Sequence, residues 1–269
     1  MQRQQAKLIE SDHISNQTTN TGSSIDCRCV SLVFSSGTRA VDEVTLSVPA
    51  GKIMSLVGPS GCGKTTMLRM IAGLEKPTAG EIQITPSIDG AAGEIGFVFQ
   101  QPSLLRWRTA IENVTLPLEL MSSSATQSQN RSTAAQMLQQ VGLADSVNLY
   151  PHQLSGGMRM RVSIARALVT QPKVLLLDEP FAALDDTLRE QLGGLVLDLW
   201  TQRPLTIVMV THNIAEAVML SHRIAVMRNG KLAETIDNPM PWPRDDSNRS
   251  QAPFSDTYQL VRSVMRGDD

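Results

Sequence analysis

Cysteine is scarce. The three present, Cys27, Cys29 and Cys62, are odd in number and lack the paired spacing of a zinc site or a disulfide scaffold, which points to a reducing compartment. Long apolar runs are missing as well. The strongest, Val174 to Leu177 and Leu205 to Val210, fall far short of the ~20 residues that a membrane-spanning helix needs. Met1 to His13 is polar and has no apolar stretch of the kind found in a secretory signal. From these absences we expect a chain that is neither secreted nor integral to a membrane. Neither sign of charge dominates: 24 Lys and Arg stand against 26 Asp and Glu, and no basic block builds the field that a nucleic-acid partner requires. No segment repeats itself, so the 269 residues hold one functional unit.

What is present suits an ordinary globular α/β protein, with 41% apolar and 19% charged residues. Residues 1–24, rich in Gln, Ser, Thr and Asn, are expected to form a flexible tail, with structure starting near Ile25. Val44, Leu46 and Val48 alternate as in a half-buried strand, and Ile53 to Val57 make a short apolar strand running into a glycine-rich turn. A helix is expected from Lys64 to about Ala72, with Gly73 as its stop. Further strands are expected at Ile95 to Phe99, Val174 to Leu177 and Leu205 to Val210. Helices are expected from about Thr187 to Trp200, after Asn213, and from Asp256 to Met265. Ser122 to Ser132 is a polar stretch between segments that read as helix, within an inserted helical lobe. Asn229-Gly230 signals a hairpin. Strand alternating with helix implies a mostly parallel sheet.

Gly58-Pro59-Ser60-Gly61-Cys62-Gly63-Lys64-Thr65 fits the phosphate-loop pattern, after an apolar strand and before a helix. Glycines let successive N–H groups turn inward towards phosphate oxygens, aided by the positive end of the following helix. Lys64 would neutralise the β and γ phosphates, and the Thr65 hydroxyl would ligate Mg²⁺, with Thr66 next in the ATP-binding run. Asp178, at the end of the Val174 strand, can meet the metal through water. Glu179 is the better candidate for polarising an attacking water, because neighbouring residues at a strand end point to different sides.

Leu154-Ser155-Gly156-Gly157-Met158, lying between those two motifs, resembles the signature sequence of ABC ATPases. The implied fold is a RecA-like P-loop core sheet with an antiparallel β subdomain and an inserted helical subdomain at about 101–165. The cassette would span 25–240, and 241–269 would be a short C-terminal extension. The resemblance further implies that two cassettes pair head to tail. Each ATP would then lie between one chain's Lys64 loop and, in trans, Ser155, Gly156, Gly157 and Asp185 of the other. Gln100 resembles the glutamine that touches Mg²⁺ and the attacking water. Ala183-Leu184-Asp185 resembles the D-loop, and His212 the switch histidine that contacts the γ-phosphate. Phe34 is the candidate ring for stacking on adenine, the alternative being core packing.

Gln101 to Thr109 and Glu112-Asn113-Val114 look like the nitrate/sulfonate/taurine import group, although Arg106 replaces a usual proline and Met160 a usual glutamine. Trp107 reads either as an anchor for a membrane subunit's coupling helix or as a partly buried ring bracing the lobe. The implied function is an ATP hydrolase that powers import of small anions or organosulfur or nitrogen solutes, from the cytoplasmic face of the membrane. Its partners would be a second cassette, two transmembrane permease subunits and, indirectly, a solute-binding protein. The other readings are another importer, an exporter, or a soluble ABC ATPase outside transport.

Overall fold

Five consecutive buried residues, Val174–Asp178, form a central strand whose side chains serve two cores at once. Val174 and Leu176 pack on one face of the sheet, and Leu175 and Leu177 on the other. That is the period-two consequence of a strand covered on both sides, and it explains the uninterrupted apolar run. The structure is a computed structural model that describes residues 22–86, 93–121, 125–182 and 184–267.

In chain order the elements are β1 (Ser24–Val33), β2 (Arg39–Val48), β3 (Ile53–Val57), α1 (Lys64–Ile71), β4 (Ala79–Thr85), β5 (Ile95–Val98), α2 (Ala110–Leu120) and α3 (Gln127–Gln140). There follow α4 (Gly156–Leu168), β6 (Val174–Asp178), α5 (Asp186–Gln202), β7 (Thr206–Val210), α6 (Ile214–Leu220), β8 (Arg223–Arg228), β9 (Lys231–Asp237) and α7 (Ala252–Arg266). The main sheet has the order β5-β6-β7-β3-β8-β9 and is parallel except for β9, which joins β8 through the Asn229-Gly230 turn. Both turn residues have positive φ, 52° and 80°, as a two-residue hairpin of this hand requires. A second, antiparallel sheet has the order β2-β1-β4. This is the expected α/β cassette architecture, with the antiparallel sheet packed against one face of the parallel sheet in a shared core.

Several boundaries differ from expectation. Structure begins before Ile25: Ser23 is fully buried and its carbonyl accepts from the Thr206 hydroxyl at 2.6 Å, while Gly22 N–H donates to Pro204 O. The rest of the expected tail, residues 1–21, lies outside the described residues. Helix α3 starts inside the polar stretch because Thr126 and Gln129 form a reciprocal capping box. Helix α7 begins four residues earlier than expected, since Pro253 sits in the first turn, where proline costs no hydrogen bond.

Candidate functional site

The parallel strands end at a common level: Leu56 of β3 and Asp178 of β6 both pair with Val210 of β7. The segments that follow β3, β6 and β7 therefore emerge side by side at the carboxyl edge of the sheet, where open α/β folds bind ligands. The first is the glycine-rich turn. Gly58 and Gly63 have φ of 154° and 102°, and a Cβ on either would meet a backbone oxygen, Met227 O at 2.1 Å or Ala40 O at 2.3 Å. No side chain fits at either position, so the backbone is free to curl through the turn. Gly63 also caps α1 without a side chain of its own. Lys64 is 4% exposed and lies over the turn, its Nζ donating to Gly58 O and Pro59 O at 2.8 Å each. Both acceptors are uncharged, and an anionic phosphate oxygen at the same place binds an ammonium group more strongly.

Thr65 and Asp178 are brought together across 113 residues: the hydroxyl donates to the carboxylate at 2.8 Å. Burial pushes the Asp178 carboxyl up from its ordinary value, opposed by the Thr65 hydrogen bond and by the Arg69 and Lys64 charges. A carboxylate held in this way favours a nearby cation. Two hard oxygen donors at the mouth of this glycine-rich turn are of the kind that would hold Mg²⁺. Among the described residues no cluster of three or more His, Cys, Asp or Glu could hold a metal by itself.

Glu179 departs from strand geometry. Its φ is +46°, and its N–H donates to Val210 O at 3.0 Å. The turn carries its carboxylate to within 3.2 Å of Nδ1 of His212, whose imidazole is largely exposed. Left-handed backbone on a non-glycine residue costs roughly 1–3 kcal/mol and clusters at functional sites. Gln100 stands exposed two residues beyond Val98, which pairs with Leu177 on the strand that leads to Asp178 and Glu179.

Ser155 caps α4, its hydroxyl accepting from Met158 N–H at 3.2 Å, and Ser155 and Gly156 are exposed at the helix N-terminus. Helix α4 packs on α2, α3, α5 and β5, whereas α1 packs on β2, β6 and β7. The two helices thus serve different cores, on opposite faces of the main sheet. Asp185 caps α5, accepting from Leu188 N–H at 2.9 Å; Ala183 lies outside the described residues. Phe34 is 41% exposed at the β1–β2 turn, so core packing does not account for it. Trp107 is 73% exposed, which excludes a bracing role inside the lobe. Buried Asn113 shapes its loop, accepting from Leu105 N–H and donating to the Leu105, Arg108 and Thr109 carbonyls. Beside that loop lies a groove of about 550 Å³ lined by Pro102, Leu104, Arg106, His152 and Arg159.

One feature went unread in the sequence. Glu216 occupies the third position of α6, where a capping-box acid belongs, but its side chain turns inward to Thr211 and Arg189. The only signal was its placement four residues after His212.

The family model described as "ABC transporter" matches residues 41–182. The aliphatic sulfonates import ATP-binding protein SsuB 1 of Pseudomonas syringae pv. tomato is 42% identical over 229 residues, covering 85% of this chain and 77% of its own. The spermidine/putrescine import ATP-binding protein PotA of Chromobacterium violaceum is 44% identical over 234 residues, covering 84% of this chain and 63% of its own. Among solved structures, the dimeric ATP-binding cassette MJ0796, in a post-hydrolysis state bound to ADP and Pi, superposes with a TM-score of 0.71 at 35% identity. It covers 79% of this chain and 98% of that one.

Proposed function

Because this chain belongs to the ABC transporter family, we propose that it is the ATP-hydrolysing subunit of an importer, working as a head-to-tail pair of cassettes bound to two permease subunits. The observation that carries this reading is the meeting, at one sheet edge, of the Lys64 turn, the Thr65–Asp178 pair and the Glu179–His212 pair. In the proposed cycle ATP lies along Gly58 to Thr66, with Phe34 against the adenine. Lys64 exchanges its carbonyl acceptors for β and γ phosphate oxygens. Thr65, Asp178 and Gln100 would hold Mg²⁺, which when bound offsets the negative charge that develops on the phosphates. Glu179 orients the attacking water, and His212 contacts the γ-phosphate.

The partner's Ser155 turn and Asp185 would close over the same phosphates. Closure of the pair would pull on permease subunits seated beside Trp107 at the Pro102 to Arg106 groove, on the cytoplasmic side of the membrane. No helix among the described residues is long and apolar enough to cross a membrane, so the membrane path is assigned to those partners. In domain terms we take 101–165 as the docking lobe, 25–240 as the cassette and 241–269 as an extension.

For the solute we favour a small oxyanion or sulfonate delivered by a solute-binding protein, supported by the resemblance at Gln101 to Thr109 and by the sulfonate-import relative. The test has two arms. The purified chain with its permease partners, in proteoliposomes, is expected to hydrolyse ATP only with Mg²⁺, and activity unaffected by chelation would contradict the metal assignment. A deletion strain is expected to lose growth on an alkanesulfonate, taurine or nitrate as sole sulfur or nitrogen source. Loss of growth on putrescine instead would overturn the solute class.

A further inference from the structure

His212 and the start of α5 are tied together by side chains that touch neither nucleotide motif. The Thr211 hydroxyl donates to Glu216 Oε2 at 2.6 Å and in turn accepts from Asn213 N–H at 3.0 Å, so the residues on both sides of His212 are held at one oxygen. The other carboxylate oxygen, Glu216 Oε1, forms an ion pair with Arg189, 3.1 Å from Nε but without hydrogen-bond geometry. Arg189 then reaches back along α5, donating from Nη2 to Leu184 O at 3.0 Å and pairing with Asp186. Glu216 is 9% exposed.

We infer that Glu216 is a positioning residue for hydrolysis: through Thr211 it fixes the segment carrying His212, and through Arg189 it locks that segment to the Leu184-Asp185 turn. The inference rests on the reading of His212 given above. An acid at this place is not explained by packing. The groove it faces is lined by Leu197, Met219 and Leu220 but also by Arg189, Arg244 and Arg249, and replacing a buried ion pair by apolar groups of similar volume is often neutral or stabilising. Burial also raises the Glu216 carboxyl above its ordinary value, opposed by Thr211, Arg189 and His212 and reinforced by Glu179, so the charge is kept at a cost. What the acid supplies is geometry. It joins the turn after β6 to the turn after β7, the two turns that also carry Glu179 and His212, which lie 3.2 Å apart. A shift of either turn would move the water-orienting carboxylate relative to the histidine.

The experiment is steady-state ATP hydrolysis by the complete transporter in proteoliposomes with Glu216→Leu, Glu216→Gln, Arg189→Ala and His212→Ala chains, together with thermal midpoints. Glu216→Leu and Arg189→Ala are expected to lower kcat about ten-fold or more with KM for ATP within about two-fold, the pattern of an interaction used in the transition state. Glu216→Gln retains a hydrogen-bonding partner for Thr211 but not the ion pair with Arg189, and is expected to recover part of that loss. Adding Glu216→Leu to His212→Ala should produce little further loss, because both act through one group. The inference is overturned if Glu216→Leu hydrolyses at the wild-type rate while His212→Ala does not. It is also overturned if Gln and Leu lose activity equally, in step with a lowered thermal midpoint. Normal hydrolysis by His212→Ala would instead sink the reading of the histidine on which the inference rests.

Discussion

Glu179 Oε2 lies 3.2 Å from Nδ1 of His212, although 33 residues separate them and the first must adopt left-handed backbone to reach the second. The contact places the carboxylate and the imidazole within hydrogen-bond reach of each other. In the proposed cycle the pair would therefore link the water-orienting group to the phosphate-contacting one. Glu179→Gln is expected to lower kcat by about 10²- to 10⁴-fold, the usual worth of a positioned acid or base, while ATP binding persists. Equilibrium nucleotide binding and single-turnover hydrolysis measure the two separately, and an unimpaired rate would remove Glu179 from its role.

The turn around Gly63 is expected to tolerate no side chain. Gly63→Ala drives a Cβ into Ala40 O and forces left-handed backbone on alanine, about 1–3 kcal/mol from the backbone alone, and should cost both stability and nucleotide affinity. Gly194, on the exposed side of α5 with open space around its would-be Cβ, is the contrast: Gly194→Ala should raise stability by roughly 0.5–1 kcal/mol. Urea unfolding of both variants decides the matter. Equal effects would mean that the close approach at Gly63 does not constrain the fold.

Stability should fall with acidification through a residue at the other end of β3 from the Lys64 turn. His222 stacks on Trp242, with ring centroids 4.6 Å apart, and meets Trp200 edge-on, while its Nδ1 accepts from Ile53 N–H at 3.1 Å. Burial, with the Lys52 and Arg244 charges, lowers its pKa from 6.5 to about 4. The unfolded chain thus takes up a proton that the folded chain refuses. This contribution to stability is complete above pH 6.5, declines as pH drops from 6.5 towards 4, and changes no further below that. His222→Asn, which can keep an acceptor near Nδ1 but does not titrate, should show a shallower fall of thermal midpoint between pH 7 and 4.5. Parallel curves for the two proteins would contradict the assignment.

Most of this architecture could be read from local pattern, and the exceptions have physical causes. The β3 and β6 strands, the Gly58 to Thr65 turn and the Ser155 cap were legible because each is a contiguous run whose periodicity or spacing has one reading. Strand β4 was not, since exposed and half-buried residues dominate Ala79–Thr85 and leave little alternation to detect. The α7 start was obscured by Pro253, which is permitted in a first helical turn. Contacts across the chain were the least legible. That Thr65 meets Asp178 was a fair expectation from paired motifs, but the inward turn of Glu216 was not, because its local position reads as a helix cap. The exposure of Trp107 depends on Asn113 holding the Leu105 to Thr109 backbone, a tertiary arrangement that no spacing rule encodes.

The central claim is that each ATP is held between the Lys64 turn of one copy and the Ser155 turn of the other, and mixing two defective chains tests it most directly. Lys64→Ala alone and Ser155→Arg alone should each be inactive, since both sites of either homodimer are damaged. A mixture forms pairs in which one site unites an intact Lys64 turn with an intact Ser155 turn, so mixing is predicted to restore Mg²⁺-dependent hydrolysis. If mixed dimers form and activity stays absent, the site is not shared between copies in this way.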